Sequence, residues 1–173
     1  IDQERYKIEY RHKWTVDPKT QIIGQYYKLS DQDFLKDYFP REFDQDSYPR
    51  TFFQTTHNLT ASTLTFRTEM GVNRFVSTVE RLPEVNYTLP DIKIGESKFY
   101  FRDTTTISNL AQSDASPSTY KKKTVRFDTQ NVLSYLFKFK FIELRPFTGT
   151  RQTYYSRTID PQNYNSIRTV FQT

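Results

Sequence analysis

The sequence predicts an all-β protein of about eight antiparallel strands, and three observations support this fold class. Apolar and polar residues alternate with a period of two along most of the chain. Aromatic residues make up 17% of the 173 residues, yet the mean hydropathy is only −0.79. No run approaches the roughly 20 consecutive apolar residues that a membrane-spanning helix needs. These features favour strands that carry one aromatic side and one charged side.

The first predicted strand spans residues 5–14. Successive side chains of a strand point to opposite sides of the sheet, so odd-numbered residues share one side and even-numbered residues share the other. The even side carries the apolar residues Tyr6, Ile8, Tyr10 and Trp14. The odd side is charged and includes Lys7, Arg11 and Lys13. Asp17-Pro18 then indicates a turn, and residues 21–29 are predicted to form the partner strand.

The same alternation predicts the remaining strands. They cover residues 52–67, 85–89, 98–107, 124–132, 133–141, 150–159 and 166–171. The clearest pattern is that of 133–141, where aromatic residues alternate with polar ones. Its aromatic side holds Tyr135, Phe137, Phe139 and Phe141, and its polar side holds Ser134, Lys138 and Lys140. We therefore expect a single strand of one aromatic and one cationic side here.

Two long connections interrupt the strands. Residues 30–50 contain Phe34, Leu35, Tyr38 and Phe39, a spacing that predicts one or two helical turns packed within the loop. The same loop is rich in Asp and Glu, which suit Ca²⁺, but it lacks the central glycine of an EF-hand and is expected to be a solvated acidic loop. Residues 109–123 are rich in Ser, Asp and Pro, end in Lys121-Lys122-Lys123, and are predicted to be a loop.

Composition excludes several functional classes. The chain has no cysteine and only two histidines, His12 and His57, so thiolate sites are excluded and most histidine-based sites are disfavoured. Its four glycines form no phosphate-binding motif. The net charge of +5 is spread over alternating strands and not gathered in one patch, which disfavours nucleic-acid binding. We predict a protein that is not an enzyme and binds no cofactor or metal.

Three environments would produce such strands: a soluble β-sandwich, a soluble ligand-binding barrel and an outer-membrane barrel. The long strands and the dense charge opposite the aromatic side favour the membrane barrel, whose strands have about 9–11 residues. In a barrel, Lys7, Arg11, Lys138 and Lys140 would face the lumen. The aromatic residues facing lipid or the interfacial girdle would be Tyr6, Tyr10, Trp14, Tyr135, Phe137, Phe139 and Phe141. By this strand count, an odd number of strands separates the two long loops, which places them at opposite ends, so either a strand is miscounted or one periplasmic connection is long.

Two segments add a family resemblance. Residues 26–39 resemble a strand-end and loop segment of the lipopolysaccharide-assembly outer-membrane proteins (LptD/OstA, organic solvent tolerance proteins). Glu80-Arg81-Leu82-Pro83 resembles the entry into a barrel strand of the same family. The order of the following segments is also similar, through Ile94-Gly95, Phe99-Tyr100-Phe101 and the stretch beginning at Val125. The resemblance covers most of residues 5–160.

The resemblance implies that residues 1–173 are part of one C-terminal β-barrel domain in the bacterial outer membrane. Such a barrel receives lipopolysaccharide from periplasmic transport-bridge proteins and inserts it into the outer leaflet. Its implied partners are lipopolysaccharide, outer-membrane lipids, the bridge proteins and a lipoprotein plug. Some members carry disulfides, and the absence of cysteine departs from that pattern. A soluble β-sandwich binding module for a ligand such as carbohydrate, and a complete small eight-stranded barrel, are the alternatives.

Overall fold

A computed structural model describes residues 4–115, 123–157 and 166–173. These residues form two short helices and eleven strands. The helices are α1 (Phe34–Tyr38) and α2 (Pro40–Gln45). The strands are β1 (Lys7–Asp17), β2 (Thr20–Leu29), β3 (Thr51–Asn58), β4 (Thr63–Met70), β5 (Thr78–Lys93), β6 (Phe99–Ser113), β7 (Lys123–Tyr135), β8 (Phe137–Phe139), β9 (Ile142–Leu144), β10 (Phe147–Tyr155) and β11 (Ser166–Gln172).

Nine of the strands form one antiparallel sheet in the order β1-β2-β3-β4-β5-β6-β7-β10-β11. The prediction of an all-β, antiparallel fold is confirmed. Each strand pairs with its neighbour along the chain, except that the small β8-β9 hairpin lies between β7 and β10 in sequence. Among the described residues the sheet is open, with β1 and β11 as its edges.

Residues 52–67, predicted as one strand, form two strands of the sheet. β3 ends at Asn58, and a tight connection, in which the Leu59 N–H donates to the Ser62 carbonyl at 2.8 Å, leads into β4. With this extra strand, an even number of strands, β3 to β6, separates the connection at residues 30–50 from the end of β6, so the two lie at the same end of the sheet. We call this the long-loop end. The opposite, short-turn end carries the connections at 18–19, 59–62 and 94–98 and the β8-β9 hairpin.

The prediction of a single strand over residues 133–141 is wrong. β7 ends at Tyr135, whose N–H donates to the carbonyl of Pro146 at 3.1 Å. Pro146 has no N–H to return, so the β7-β10 ladder stops at this pair. The Leu136 N–H turns to the carbonyl of Lys98 at 3.0 Å, and the chain then folds into the separate hairpin of β8 and β9.

The buried apolar core is small and lies at the long-loop end. Tyr27 and Leu29 of β2 pack with Phe34 and Leu35 of α1, and Leu35 is fully buried. The predicted helical turns in this loop are therefore confirmed. Beyond the last β2-β3 pair, side chains replace the neighbouring strand: Thr51 Oγ1 accepts the Tyr27 N–H at 3.0 Å, and Asn73 Oδ1 accepts the Leu29 N–H at 2.9 Å.

The alternative folds are not formed by the described residues. A sandwich needs a second sheet packed on the aromatic side of the first, but the remaining described strands are only the two of the β8-β9 hairpin. A complete small barrel needs its edge strands to pair, and β1 and β11 are not neighbours in this sheet.

Candidate functional surface: a charged face opposite an aromatic face

The nine-stranded sheet has two chemically different faces. Residues paired across antiparallel strands project to the same side, so the register assigns each residue to a face. The polar face includes Lys7, Glu9, Arg11, Gln54, Thr65, Arg67, Asn86, Thr106, Asp128 and Arg151. The aromatic face includes Ile8, Tyr10, Trp14, Phe53, Leu64, Phe66, Val85, Ile107 and Phe127.

The aromatic face is exposed over its whole width. Tyr10 is 60% exposed and Trp14 is 54% exposed on β1, and Phe66 in the middle of the sheet is still 40% exposed. On β6 and β7 a hydrogen-bonded polar cluster of Asp103, Thr105 and Thr129 interrupts the apolar residues of this face. Apolar surface exposed on this many strands still marks a face that contacts something else, either protein or membrane.

Lys7 and Arg11 lie on the polar face, and Tyr10 and Trp14 lie on the aromatic face. The alternation that the sequence predicted for β1 is therefore present. Lys7 Nζ is 3.1 Å from a carboxylate oxygen of Glu9, and Arg11 Nε contacts the other oxygen at 3.1 Å. Tyr6 lies just before β1 and is exposed; its carbonyl accepts the Ser30 N–H at 2.9 Å.

The remaining predicted cations and aromatics lie elsewhere. The single-strand prediction placed Lys138 and Lys140 on the same polar face as Lys7 and Arg11. Instead, Lys138 belongs to the β8-β9 hairpin and Lys140 to its turn, so neither lies on that face. Lys138 Nζ contacts Glu143 of β9 at 2.8 Å instead. The exposed aromatics Phe137, Phe139 and Phe141 belong to the same hairpin, whereas Tyr135 ends β7.

The most buried charge on the polar face is the carboxylate of Glu69, which is 3% exposed as a residue. Three guanidinium groups converge on it. Oε2 is 2.9 Å from both Arg67 Nη2 and Arg81 Nη1, and Oε1 is 3.4 Å from Arg50 Nη1. Arg81 also contacts Glu84 at 3.5 Å. Arginine therefore outnumbers carboxylate in this cluster.

Two further clusters repeat this arrangement. Asp128 lies between Arg126 and Arg151, each with an Nη2 at 2.8 Å from Oδ2, and it also accepts a hydrogen bond from Thr153. Asp91 lies between Arg102 at 2.8 Å and Arg145 at 3.1 Å. In each of these two clusters one carboxylate orients two arginines, which leaves a surplus of guanidinium groups.

Sequence reasoning missed these arginine clusters, although part of the signal was visible. Arg67 and Glu69 are two apart on a strand, as are Arg126 and Asp128, and this spacing places each pair on one face. The cross-strand partners Arg81 and Arg151 follow only from the register. Glu80-Arg81-Leu82-Pro83, the segment that resembles the family, supplies one of them.

That segment lies near the start of β5, where the register with β4 and β6 shifts. Glu80 Oε1 accepts the Gly71 N–H at 3.1 Å, and Arg81 joins Glu69. Leu82 and Pro83 lie at the irregularity itself, and the carbonyl of Leu82 accepts a hydrogen bond from Asn109 at 2.6 Å. The segment thus ties the long-loop end of β5 to the arginine cluster.

The acidic loop of residues 30–50 is held by cations of the chain. Arg5 donates to Asp31 at 2.7 Å and to Asp37 at 2.9 Å, and its guanidinium lies 5.1 Å from the centre of the Tyr38 ring. The hydrogen bonds from Arg5 are the main reason why the pKa of Asp31 falls to about 2. The same contacts with Asp31 and Asp37 raise the pKa of Arg5. Lys7 reaches Glu42 of α2 in the same way.

Among residues 4–115, 123–157 and 166–173, no group of three or more histidine or acidic residues is arranged to hold a metal ion. Lys121 and Lys122 of the predicted basic run lie outside the described residues, and Lys123 is the first residue of β7.

In comparisons with known proteins, no protein-family model matches the chain, and no curated protein matches it significantly. Within the described ranges, no helix combines the length and the apolar composition needed to cross a membrane.

Proposed function

We propose that this chain is a segment of the wall of an outer-membrane β-barrel, and that the barrel inserts lipopolysaccharide into the outer leaflet. The observation that carries the proposal is the opposition of the two faces on one antiparallel sheet. An exposed aromatic face suits contact with lipid, and a hydrogen-bonded charged face suits a water-filled lumen. Sheet hydrogen bonds satisfy the backbone of each inner strand, as the hydrocarbon region requires.

Strand direction supports a wall segment over a finished barrel. Nine antiparallel strands in sequence leave β1 and β11 running in the same direction. Bacterial single-chain barrels have an even number of antiparallel strands. An all-antiparallel barrel that contains this sheet therefore needs an odd number of further strands between β11 and β1.

The lengths of the connections support one orientation of the wall. Barrels of this class have short periplasmic turns and longer extracellular loops. The long-loop end, with the α1-α2 segment, would face outward, and the short-turn end would face the periplasm. The revised strand count removes the conflict between the two long loops.

The arginine clusters suit an anionic glycolipid. Guanidinium groups bind phosphate through paired hydrogen bonds, and each of the three clusters has more arginines than it needs to neutralise its carboxylates. Lipopolysaccharide carries such anionic groups on its headgroup. The headgroup would follow the polar face while the acyl chains leave sideways into the bilayer between strands. The resemblance in residues 26–39 and 80–83 supports the lipopolysaccharide substrate, the lipoprotein plug and the periplasmic bridge as partners.

Site-specific photo-crosslinking in the full-length protein tests this function. Thr106 and Ile107 are adjacent on β6 and belong to opposite faces, so they form a matched pair of positions for a photoreactive residue. We expect Thr106 to crosslink lipopolysaccharide in cells, and this crosslink to disappear when the periplasmic bridge is depleted. Crosslinks at Ile107 should go to membrane lipid and persist. No lipopolysaccharide at Thr106 would contradict the transport function.

A refolding comparison tests the wall segment itself. In hydrocarbon, each unpaired backbone group at an open sheet edge costs several kcal/mol. Residues 1–173 alone should therefore aggregate or remain unfolded in detergent, whereas the full-length chain should fold and show heat-modifiable migration on a gel. If residues 1–173 form a soluble monomer that melts cooperatively without detergent, the result would favour the soluble β-sandwich binding module.

A further inference from the structure

The β8-β9 hairpin extends from the short-turn end and separates apolar from charged residues. The register pairs Phe137 with Leu144 and Phe139 with Ile142, so these four side chains share one side. Each of them is exposed, from 43% for Phe137 to 60% for Phe139. Lys138 and Glu143 occupy the other side.

The apolar side of the hairpin continues the aromatic face of the sheet. Phe99 of β6 contacts Tyr135 of β7 with ring centroids 4.8 Å apart, and Tyr135 contacts Phe137 at 4.5 Å. Phe137 stacks on Phe139 at 6.5 Å. An unbroken row of rings therefore runs from the sheet onto the hairpin.

The turn of the hairpin adds an anchor and a cation. Phe141 is 88% exposed, so it contacts almost nothing in the described part of the chain. Lys140 beside it has no ion pair there, whereas Lys138 is matched by Glu143. Aromatic rings next to a lysine are typical of the boundary between acyl chains and headgroups, where the ring is half immersed and the ammonium reaches phosphate.

We propose that the β8-β9 hairpin is an interfacial anchor that lies in the headgroup region of the periplasmic leaflet. Its occupant is phospholipid: the rings of Phe137, Phe139 and Phe141 meet the upper acyl chains, and Lys140 meets lipid phosphate. This inference rests on the proposed function, because the aromatic row continues a face assigned to lipid. The anchor fixes the depth of the wall at the end that lacks long loops.

Fluorescence quenching by brominated lipids tests the anchor in the full-length protein reconstituted in phospholipid vesicles. Trp14 and any other tryptophan are replaced by Phe, and one tryptophan is introduced as Phe139→Trp or, as the matched reporter within the sheet, Phe66→Trp. We expect bromine near the start of the acyl chain to quench the Phe139→Trp protein most strongly. Bromine deep in the chain should quench the Phe66→Trp protein most strongly.

The two reporters separate failure of the anchor from failure of the wall. Quenching of Phe66→Trp without any quenching of Phe139→Trp overturns the anchor and leaves the wall intact. Quenching of Phe139→Trp alone supports the anchor and overturns the wall. Absence of quenching at both positions overturns both. A water-soluble quencher that reaches Phe139→Trp as freely in vesicles as in urea would also refute the anchor.

Discussion

Replacement of Glu69 by glutamine is the most informative perturbation of the polar face. The Glu69 carboxylate is nearly fully buried and lies 2.9 Å from guanidinium nitrogens of both Arg67 and Arg81. Glu69→Gln keeps the size of the side chain and removes its charge. The arginines would then face one another across a neutral amide.

The expected loss of stability follows from this geometry. Removal of one partner from a buried ion pair costs about 3–5 kcal/mol, because the remaining charge is left buried and unpaired. Glutamine still offers one carbonyl oxygen, Arg81 keeps its contact with Glu84 at 3.5 Å, and Arg50 is largely exposed and can rehydrate. We therefore expect Glu69→Gln to lower the free energy of unfolding by about 3 kcal/mol, the low end of that range.

Urea unfolding of the full-length protein in detergent, followed by circular dichroism, measures this loss. Glu143→Gln is the matched control, because the Glu143–Lys138 pair is as short, at 2.8 Å, but both side chains are 62% exposed. An exposed pair contributes little to stability, because water screens its charges. The double variant Glu69→Gln, Arg81→Gln should lose less than the sum of the single variants, since these residues share one interaction. Equal losses for Glu69→Gln and Glu143→Gln would refute the assignment of Glu69 as the buried centre of the cluster.

Three further predictions concern the loop and the aromatic face. Leu35→Ala should destabilise the packing of α1 by about 2–5 kcal/mol, because Leu35 is fully buried, and limited trypsin digestion should then cut the loop faster. The Arg5–Asp31 ion pair should stabilise the same loop above about pH 4, and this stabilisation should be lost as the pH falls through about 2, the lowered pKa of Asp31. A pH titration of hydrogen exchange in the loop should show this loss of protection, and Asp31→Asn should abolish the pH dependence. Phe66→Arg should cost about 2–4 kcal/mol in urea unfolding if Phe66 faces mid-membrane lipid, whereas Thr65→Arg on the polar face should cost much less.

The strands could be predicted from the sequence because alternation is a local property. The charged and aromatic sides of β1 follow directly from the order of residues 7–14. The turn between β3 and β4 was missed because residues 59–62 contain neither glycine nor proline, the strongest turn signals. The end of β7 was missed because the interruption depends on Pro146, which lies outside the alternating stretch and meets Tyr135 only through the β7-β10 pairing.

The candidate site was predictable only in part, because its clusters depend on cross-strand register. Lys7 and Arg11 could be placed on a charged side from β1 alone. The convergence of Arg67 and Arg81 on Glu69 requires the β4-β5 register, which shifts at this point. Long-range pairing of this kind is set by the packing of the whole sheet and leaves no fixed spacing in the sequence.

Spin-label accessibility along β4 tests the central claim, the lipid contact of the aromatic face, most directly. Residues 1–173 contain no cysteine, so single cysteines at Thr63, Leu64, Thr65 and Phe66 can each carry a label in the full-length protein, with any cysteine outside this range replaced. In bilayers, we predict that access of dissolved oxygen to the label is high at 64 and 66 and low at 63 and 65. Access of a water-soluble relaxant should be high at 63 and 65 and low at 64 and 66. Labels at 64 and 66 that are shielded from oxygen, or open to the water-soluble relaxant, would contradict a lipid-facing wall.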